Sequence, residues 1–188
     1  SGNMIDLDYS TASSIDHIKD GEINADYSTI NVESSGDLVV RTDYTKTKIG
    51  SAKNVDYNGD YGSLSIQEAE RVEADCDYVD IKIGALGRSL DAEASYGSIK
   101  VENLKSTINK VSVDCKYTKV GMKYASGANF DFDIEVKYAN IKHGANLNVT
   151  ESHKRTSSKE LRGYAGSKNS GNTIRINSGY GNVTLEAN

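Results

Sequence analysis

The sequence predicts an all-β chain wound as a single-stranded parallel β-helix of about nine coils, each 17–21 residues long. Three observations carry that prediction. Tyrosine returns at a nearly fixed period: Tyr9, Tyr27, Tyr44, Tyr61, Tyr78 and Tyr96 are 18, 17, 17, 17 and 18 residues apart, and Tyr117, Tyr138, Tyr164 and Tyr180 follow at 21, 21, 26 and 16. Around each tyrosine, apolar and polar residues alternate with period two, the signature of a strand with one buried face. The composition has no proline, no tryptophan, two phenylalanines, 12 tyrosines and 17 glycines, with 37% hydrophobic residues. That suits a thin, elongated core to which each repeat adds a few small apolar side chains.

Each coil opens with a strand that ends at its tyrosine. Six residues before the tyrosine stand Leu38, Val55, Val72, Leu90, Val111, Phe132 and Ile174. Four before stand Ile23, Val40, Tyr57, Ala74, Ala92, Val113, Ile134 and Ile176, and two before stand mostly small residues such as Ala25, Thr42, Gly59, Cys76, Ala94, Cys115 and Ser178. A corner of short residues follows, as in Tyr61-Gly62-Ser63. The second strand places Ile30, Leu64, Ile81, Ile99, Val120 and Val183 three after the tyrosine, and Val32, Ile66, Ile83, Val101, Met122 and Leu185 five after. A weaker column eight after, Ala52, Ala69, Leu86, Leu104 and Ala125, lies in the variable turn that absorbs the longer repeats. A meander of hairpins would not bring like residues into register every ~17 positions, whereas parallel stacking at about 4.8 Å per coil does. Right-handed winding is favoured by the crossover preference of parallel strands. A left-handed hexapeptide helix, with coils of similar length, stays the alternative.

The chain reads as one repeat domain over residues 1–188, with an irregular excursion at about 144–172. Within it, Asn148-Val149-Thr150 reads as one more strand, residues 151–160 as an exposed polar loop and residues 163–171 as a glycine-rich second loop. A last coil resumes at Ile174 and leaves an open sheet edge to be capped by that loop or met by a second chain. Cys76 and Cys115, both two before a tyrosine and two coils apart, fall about 9–10 Å from one another. That exceeds disulfide reach, so both are expected to be free, buried thiols. Parity extended from the first strand puts the tyrosines on the buried side, as a stacked wall of the core.

Net charge −5 and a pI near 5.2 argue against a phosphate-binding surface, hence against nucleic acid. No apolar run approaches the roughly 18 residues of a membrane span. One residue before the tyrosine stand Asp8, Asp26, Asp43, Asp60 and Asp77, an expected outward ladder of carboxylates. Calcium takes six to eight oxygens, which makes Asp26, Asp43, Asp60 and Asp77 its candidate ligands. A column at even spacing is the opposite of convergence, however, so the sequence assigns no metal, no cofactor and no catalytic residue. The catalytic and phosphate-binding motifs sought are absent. His143 takes an inward slot where the pattern ends and reads as a capping residue. The candidate partner surface comprises Asp8, Asp26, Asp43, Asp60 and Asp77, together with His153, Lys154 and Arg155 of the excursion.

The reiterated Tyr-Gly-x-Ile/Val-x-Val/Leu pattern, as in Tyr61-Gly62-Ser63-Leu64-Ser65-Ile66, Tyr96-Gly97-Ser98-Ile99-Lys100-Val101 and Tyr180-Gly181-Asn182-Val183-Thr184-Leu185, resembles the Bacteroidetes adhesin families of the DUF4097 and DUF2807 type. The segment Gly171 to Gly181 is similar to their C-terminus, and Val79 and Thr118 depart from the pattern where glycine is missing. The resemblance implies an exported β-helix protein of the periplasm, outer membrane or cell surface, not an enzyme, that binds a cell-surface glycan or protein or serves as a scaffold. The start Ser1-Gly2-Asn3-Met4 is expected to be the cut edge of a longer precursor. The alternatives are end-to-end self-assembly and a calcium-dependent carbohydrate-active protein.

Overall fold

A computed structural model describes residues 3–11 and 13–188. The expectation attached to Ser1 and Gly2 lies outside the described residues. The chain is all-β: β1 (Asn3–Asp8), β2 (Ser13–Asp26), β3 (Thr29–Asp43), β4 (Lys46–Ser95), β5 (Ser98–Leu104), β6 (Lys110–Lys116), β7 (Lys119–Tyr124), β8 (Phe130–Lys137), β9 (Ile141–His143), β10 (Asn148–Lys154), β11 (Ser158–Ala165), β12 (Thr173–Gly179) and β13 (Val183–Ala187). Successive coils pair in parallel with like residues opposite one another. Asp8 faces Asp26, which faces Asp43, which faces Asp60, and Ile81 faces Ile99, which faces Val120. The expected register is therefore observed, and β4 is one 50-residue run because its coils turn without breaking strand geometry.

The inward columns form one continuous core. Ile23, Val40 and Tyr57, then Ile30, Ile81, Ile83, Leu64, Ile66 and Leu90, are each at most 1% exposed. Local volume is balanced between levels, as close packing demands. The large Tyr57 enters a column otherwise held by Val40 and Ala74, and Thr42 Oγ1 donates to its hydroxyl at 3.0 Å. Gly59 lies beside that hydroxyl, where a Cβ would stand 2.9 Å from it.

The C-terminal third departs from sequential stacking. β8 does not pair with β6. β12 lies between them, parallel to both, with Ile174 opposite Val111 on one side and Phe132 on the other. Likewise β13 lies between β7 and β9. The chain thus skips one level after β7 through residues 125–129 and later fills the gap with its last strands. The coil expected to be terminal is interior, so its edges are paired. Residues 148–165, read largely as loop, instead form an antiparallel hairpin. Its second strand, β11, covers the edge of β8, with Leu161 opposite Ile134. Leu161, Gly163 and Ala165 face inward while β10 is exposed throughout. His143, expected inward, is exposed because it ends β9, the edge strand that pairs with β13 alone among the described residues.

Candidate functional site: an outward tyrosine ladder

The tyrosines face solvent, not the core as parity predicts. Nine of them stack on the outside of the molecule in the order Tyr9, Tyr27, Tyr44, Tyr61, Tyr78, Tyr96, Tyr117, Tyr180, Tyr138. Adjacent ring centroids are 4.7–5.1 Å apart and the planes diverge by 2–9°. The strip runs roughly 39 Å, eight strand spacings. Interior members such as Tyr61 are 45% exposed, while the end members Tyr9 and Tyr138 are 76% and 65% exposed because one ring face has no neighbour.

Backbone conformation explains the reversal. Every ladder tyrosine has φ between 51° and 62°, the left-handed region. That conformation turns the corner and swings the side chain out, so the period-two alternation breaks at this residue. It costs an L-residue roughly 1–2 kcal/mol, and an aromatic pair returns about 0.5–1.5 kcal/mol beyond area. The ladder thus holds a strained corner that glycine or asparagine would occupy more cheaply.

The residue after the tyrosine is buried at Ser28, Thr45, Val79 and Thr118, and where it is Ser or Thr its hydroxyl ties the corner. Thr45 Oγ1 donates to the Asp43 and Ala25 carbonyls, both at 2.9 Å, and accepts from the Ser28 N–H at 3.1 Å. Ser28 and Thr118 likewise donate to the carbonyls of Asp26 and Lys116. On the levels that follow Thr45, Val79 and Thr118 a glycine is needed. A Cβ on Gly62 would stand 2.1 Å from the Thr45 carbonyl oxygen, on Gly97 2.1 Å from that of Val79, and on Gly181 1.9 Å from that of Thr118. The missing glycines at Val79 and Thr118 therefore supply the surface on which the next glycine rests.

The aspartate ladder is present, and exposed, on one flank of the tyrosines. Two of its carboxylates are engaged with backbone: Asp26 Oδ1 accepts from the Asp43 N–H at 3.2 Å, and Asp60 Oδ1 from the Asp77 N–H at 3.3 Å. Among the described residues, no group of three or more His, Cys, Asp or Glu side chains could hold a metal ion. Following the flank along the ladder, the five aspartates give way to Ser95, Lys116, Gly179 and Lys137. At that far end the Tyr138 N–H donates to the Ser157 carbonyl at 2.7 Å, placing the hairpin turn beside the last ring. His153, Lys154 and Arg155 are exposed at that turn. The two candidate partner regions thus lie at opposite ends of one strip, acidic at one end and basic at the other. The ladder that joins them was not among the predicted partner residues.

Desolvation by its surroundings raises the Tyr61 phenol above its ordinary value, and neighbouring Tyr78 and Tyr44 add to the shift. Both thiols are free and buried, as expected. Burial, with nearby Asp75, pushes Cys76 up to about 12, and burial also raises Cys115, offset in part by a hydrogen bond with Ser178. No helix among the described residues is long and apolar enough to cross a membrane.

No curated protein and no solved structure matches the chain. The family model described as Toastrack DUF4097 matches residues 9–186, which span all nine ladder tyrosines and all but the last residue of the two strands of the inserted coil. The repeated Tyr-corner-strand unit and the match over nearly the whole length agree, and the chain belongs to the Toastrack DUF4097 family.

Proposed function

We propose that this chain is a non-catalytic binding or scaffold module, a right-handed parallel β-helix presented in the periplasm or at the cell surface, with the tyrosine ladder as its contact strip. The observation that carries the reading is the ladder itself: nine outward aromatic residues held in a costly left-handed conformation at one corner. An observed backbone outlier repeated at a surface supports a functional role for that surface. Interior ring faces are covered by their neighbours, so the strip offers ring edges and phenol hydroxyls at strand spacing. That chemistry suits an extended, hydroxyl- or carbonyl-rich partner, a glycan chain or a peptide in strand conformation, lying along the rod. Binding to an adhesin-type ligand would then depend on the ladder and not on a pocket. The test is a glycan and peptide array probed with the wild-type chain and with the triple substitution Tyr44→Gly, Tyr61→Gly, Tyr78→Gly, glycine being the residue that keeps the corner. Retained circular dichroism with lost binding supports the reading. Equal binding by both chains, or binding by neither, overturns it.

End-to-end self-assembly is the second reading, favoured by one observation. β1 pairs with β2 alone among the described residues, so one edge there is open to a strand of a second copy. At the other end β11 covers β8, which favours pairs over open filaments. Light scattering across concentration decides between them: a monomer throughout removes this reading.

A further inference from the structure

We infer that residues 173–188 are an exchangeable clasp, and that the slot they fill accepts the same segment from a second copy to give a strand-swapped dimer. This does not depend on what the tyrosine ladder binds.

The slot is built from four strands. β6 and β8 offer seven in-register partners each to β12, and β7 and β9 flank β13. Ile174, Ile176, Val183 and Leu185 are each at most 1% exposed once seated. Tyr180 completes the ladder, 4.7 Å from Tyr117 and 4.9 Å from Tyr138. With the segment out, β6 and β8 stand two strand spacings apart, about 9.6 Å, with facing edges unpaired. The coil of β8 and β9 and its hairpin then join the stack through residues 125–129. Such an edge pair recruits a strand.

The occupant is specified by the slot. It must carry four inward apolar residues in alternation, an aromatic residue in left-handed conformation, and glycine immediately after, because a Cβ there would stand 1.9 Å from the Thr118 carbonyl oxygen. The chain's own Ile174 to Leu185 meets each condition. A second copy meets them identically, so cis and trans seating share every contact except those of the connection.

That connection is the hinge. Residues 166–172 cross the end of β8, since β11 ends opposite Phe130 on one side and β12 begins opposite Asp131 on the other. Three of the seven residues have positive φ: Gly166 at 65°, Asn169 at 58° and Gly171 at 85°. Its tethers all run to residues 129 and 131: the Ser167 N–H donates to Asn129 Oδ1 at 2.8 Å, the Asn169 N–H to Asp131 Oδ1 at 3.1 Å, Asn172 Nδ2 to the Asn129 carbonyl at 2.9 Å, and the Asp131 N–H to the Asn172 carbonyl at 2.9 Å. A short hinge in tight conformation is the setting in which swapping occurs. Seating also closes sequence gaps of 42 to 63 residues, so the slot forms late and stands open while other chains are near.

The test uses an adjacency across the slot. Cys115 and Ser178 are register partners, both buried. In the full chain, Ser178→Cys with Cys76→Ala places two thiols on neighbouring strands, within disulfide reach. After denaturation, the protein is refolded at graded concentration and oxidised, then run on a non-reducing gel, with the Cys76→Ala chain as control. The expected result is a covalent dimer whose ratio to cross-linked monomer rises about tenfold for each tenfold rise in concentration. Cross-linked monomer alone at every concentration overturns the proposal, as does an equal dimer band in the control. Deleting Ser167–Gly171 leaves a connection too short to pass over β8. Folded dimer is expected from it by light scattering, and a folded monomer contradicts the swap.

Discussion

The stack from β2 to β5 and the region from β6 to β13 are made of the same columns of residues but assembled by different rules. In the first, each coil lies on the coil before it in sequence, with contacts 17 or 18 residues apart. In the second, a coil is bypassed and filled last, and the free edge is closed by an antiparallel hairpin. The first can grow one rung at a time, each resting on its neighbour. The second depends on a segment that arrives after all its partners. Identical local chemistry thus supports both a processive stack and a late clasp, and stability should divide between them.

Removing the clasp should separate the two regions most strongly. Truncation after Asn172 is expected to abolish amide protection through β8, β9, β10 and β11 while leaving β3 and β4 protected, as hydrogen exchange would show. Uniform loss of protection would mean that the two regions are one cooperative unit. A comparable insult inside the regular stack should act more locally. Gly62→Ala sets a methyl group against the Thr45 carbonyl at a backbone that cannot retreat, costing about 1–3 kcal/mol in chemical denaturation. A neutral result would show that this corner relaxes.

A smaller effect sharpens the account of the ladder. Tyr78→Ala loses the stacked rings on both sides and keeps the left-handed strain, whereas Tyr78→Gly loses the rings and relieves the strain. The glycine variant should therefore be the more stable of the two by roughly 1 kcal/mol, against the usual order for a strand. Smaller still at neutral pH is the effect of the thiols. Their raised pKa values mean that the fold favours the neutral form. The stability this contributes is fully present below pH 9, the ordinary thiol value, and is lost as pH rises toward about 12. Thiol reagents at pH 8 should label neither Cys76 nor Cys115 until the protein unfolds.

Much of this fold was legible because the inward columns repeat. Ile23, Val40, Ala74 and Ala92 mark one wall, and Ile30, Leu64, Ile81 and Ile99 another, wherever the chain is cut. Period-two parity carried through the corner gives the wrong direction for the tyrosines, because their positive φ breaks the alternation. The warning lay in the same columns. Inward residues stand two, four and six before the tyrosine but three and five after it, and that change from even to odd requires a residue outside strand geometry between them. The buried small residues at the next position, Ser28, Thr45 and Thr118, are the other half of that signal. The clasp was not legible, because Ile174 to Leu185 obeys the same columns as every other coil and nothing in them states a level. The hairpin was hidden because β10 has no apolar face and β11 buries only Leu161, Gly163 and Ala165.

The bypassed coil and the clasp both depend on the order of the ladder. That order can be measured with paired cysteines at exposed ladder positions in a background lacking Cys76 and Cys115. The account predicts that Tyr117→Cys with Tyr180→Cys closes a disulfide on mild oxidation, while Tyr117→Cys with Tyr138→Cys, two strand spacings apart, does not. Closure of the second pair and not the first would place the coils in simple sequence order and contradict it.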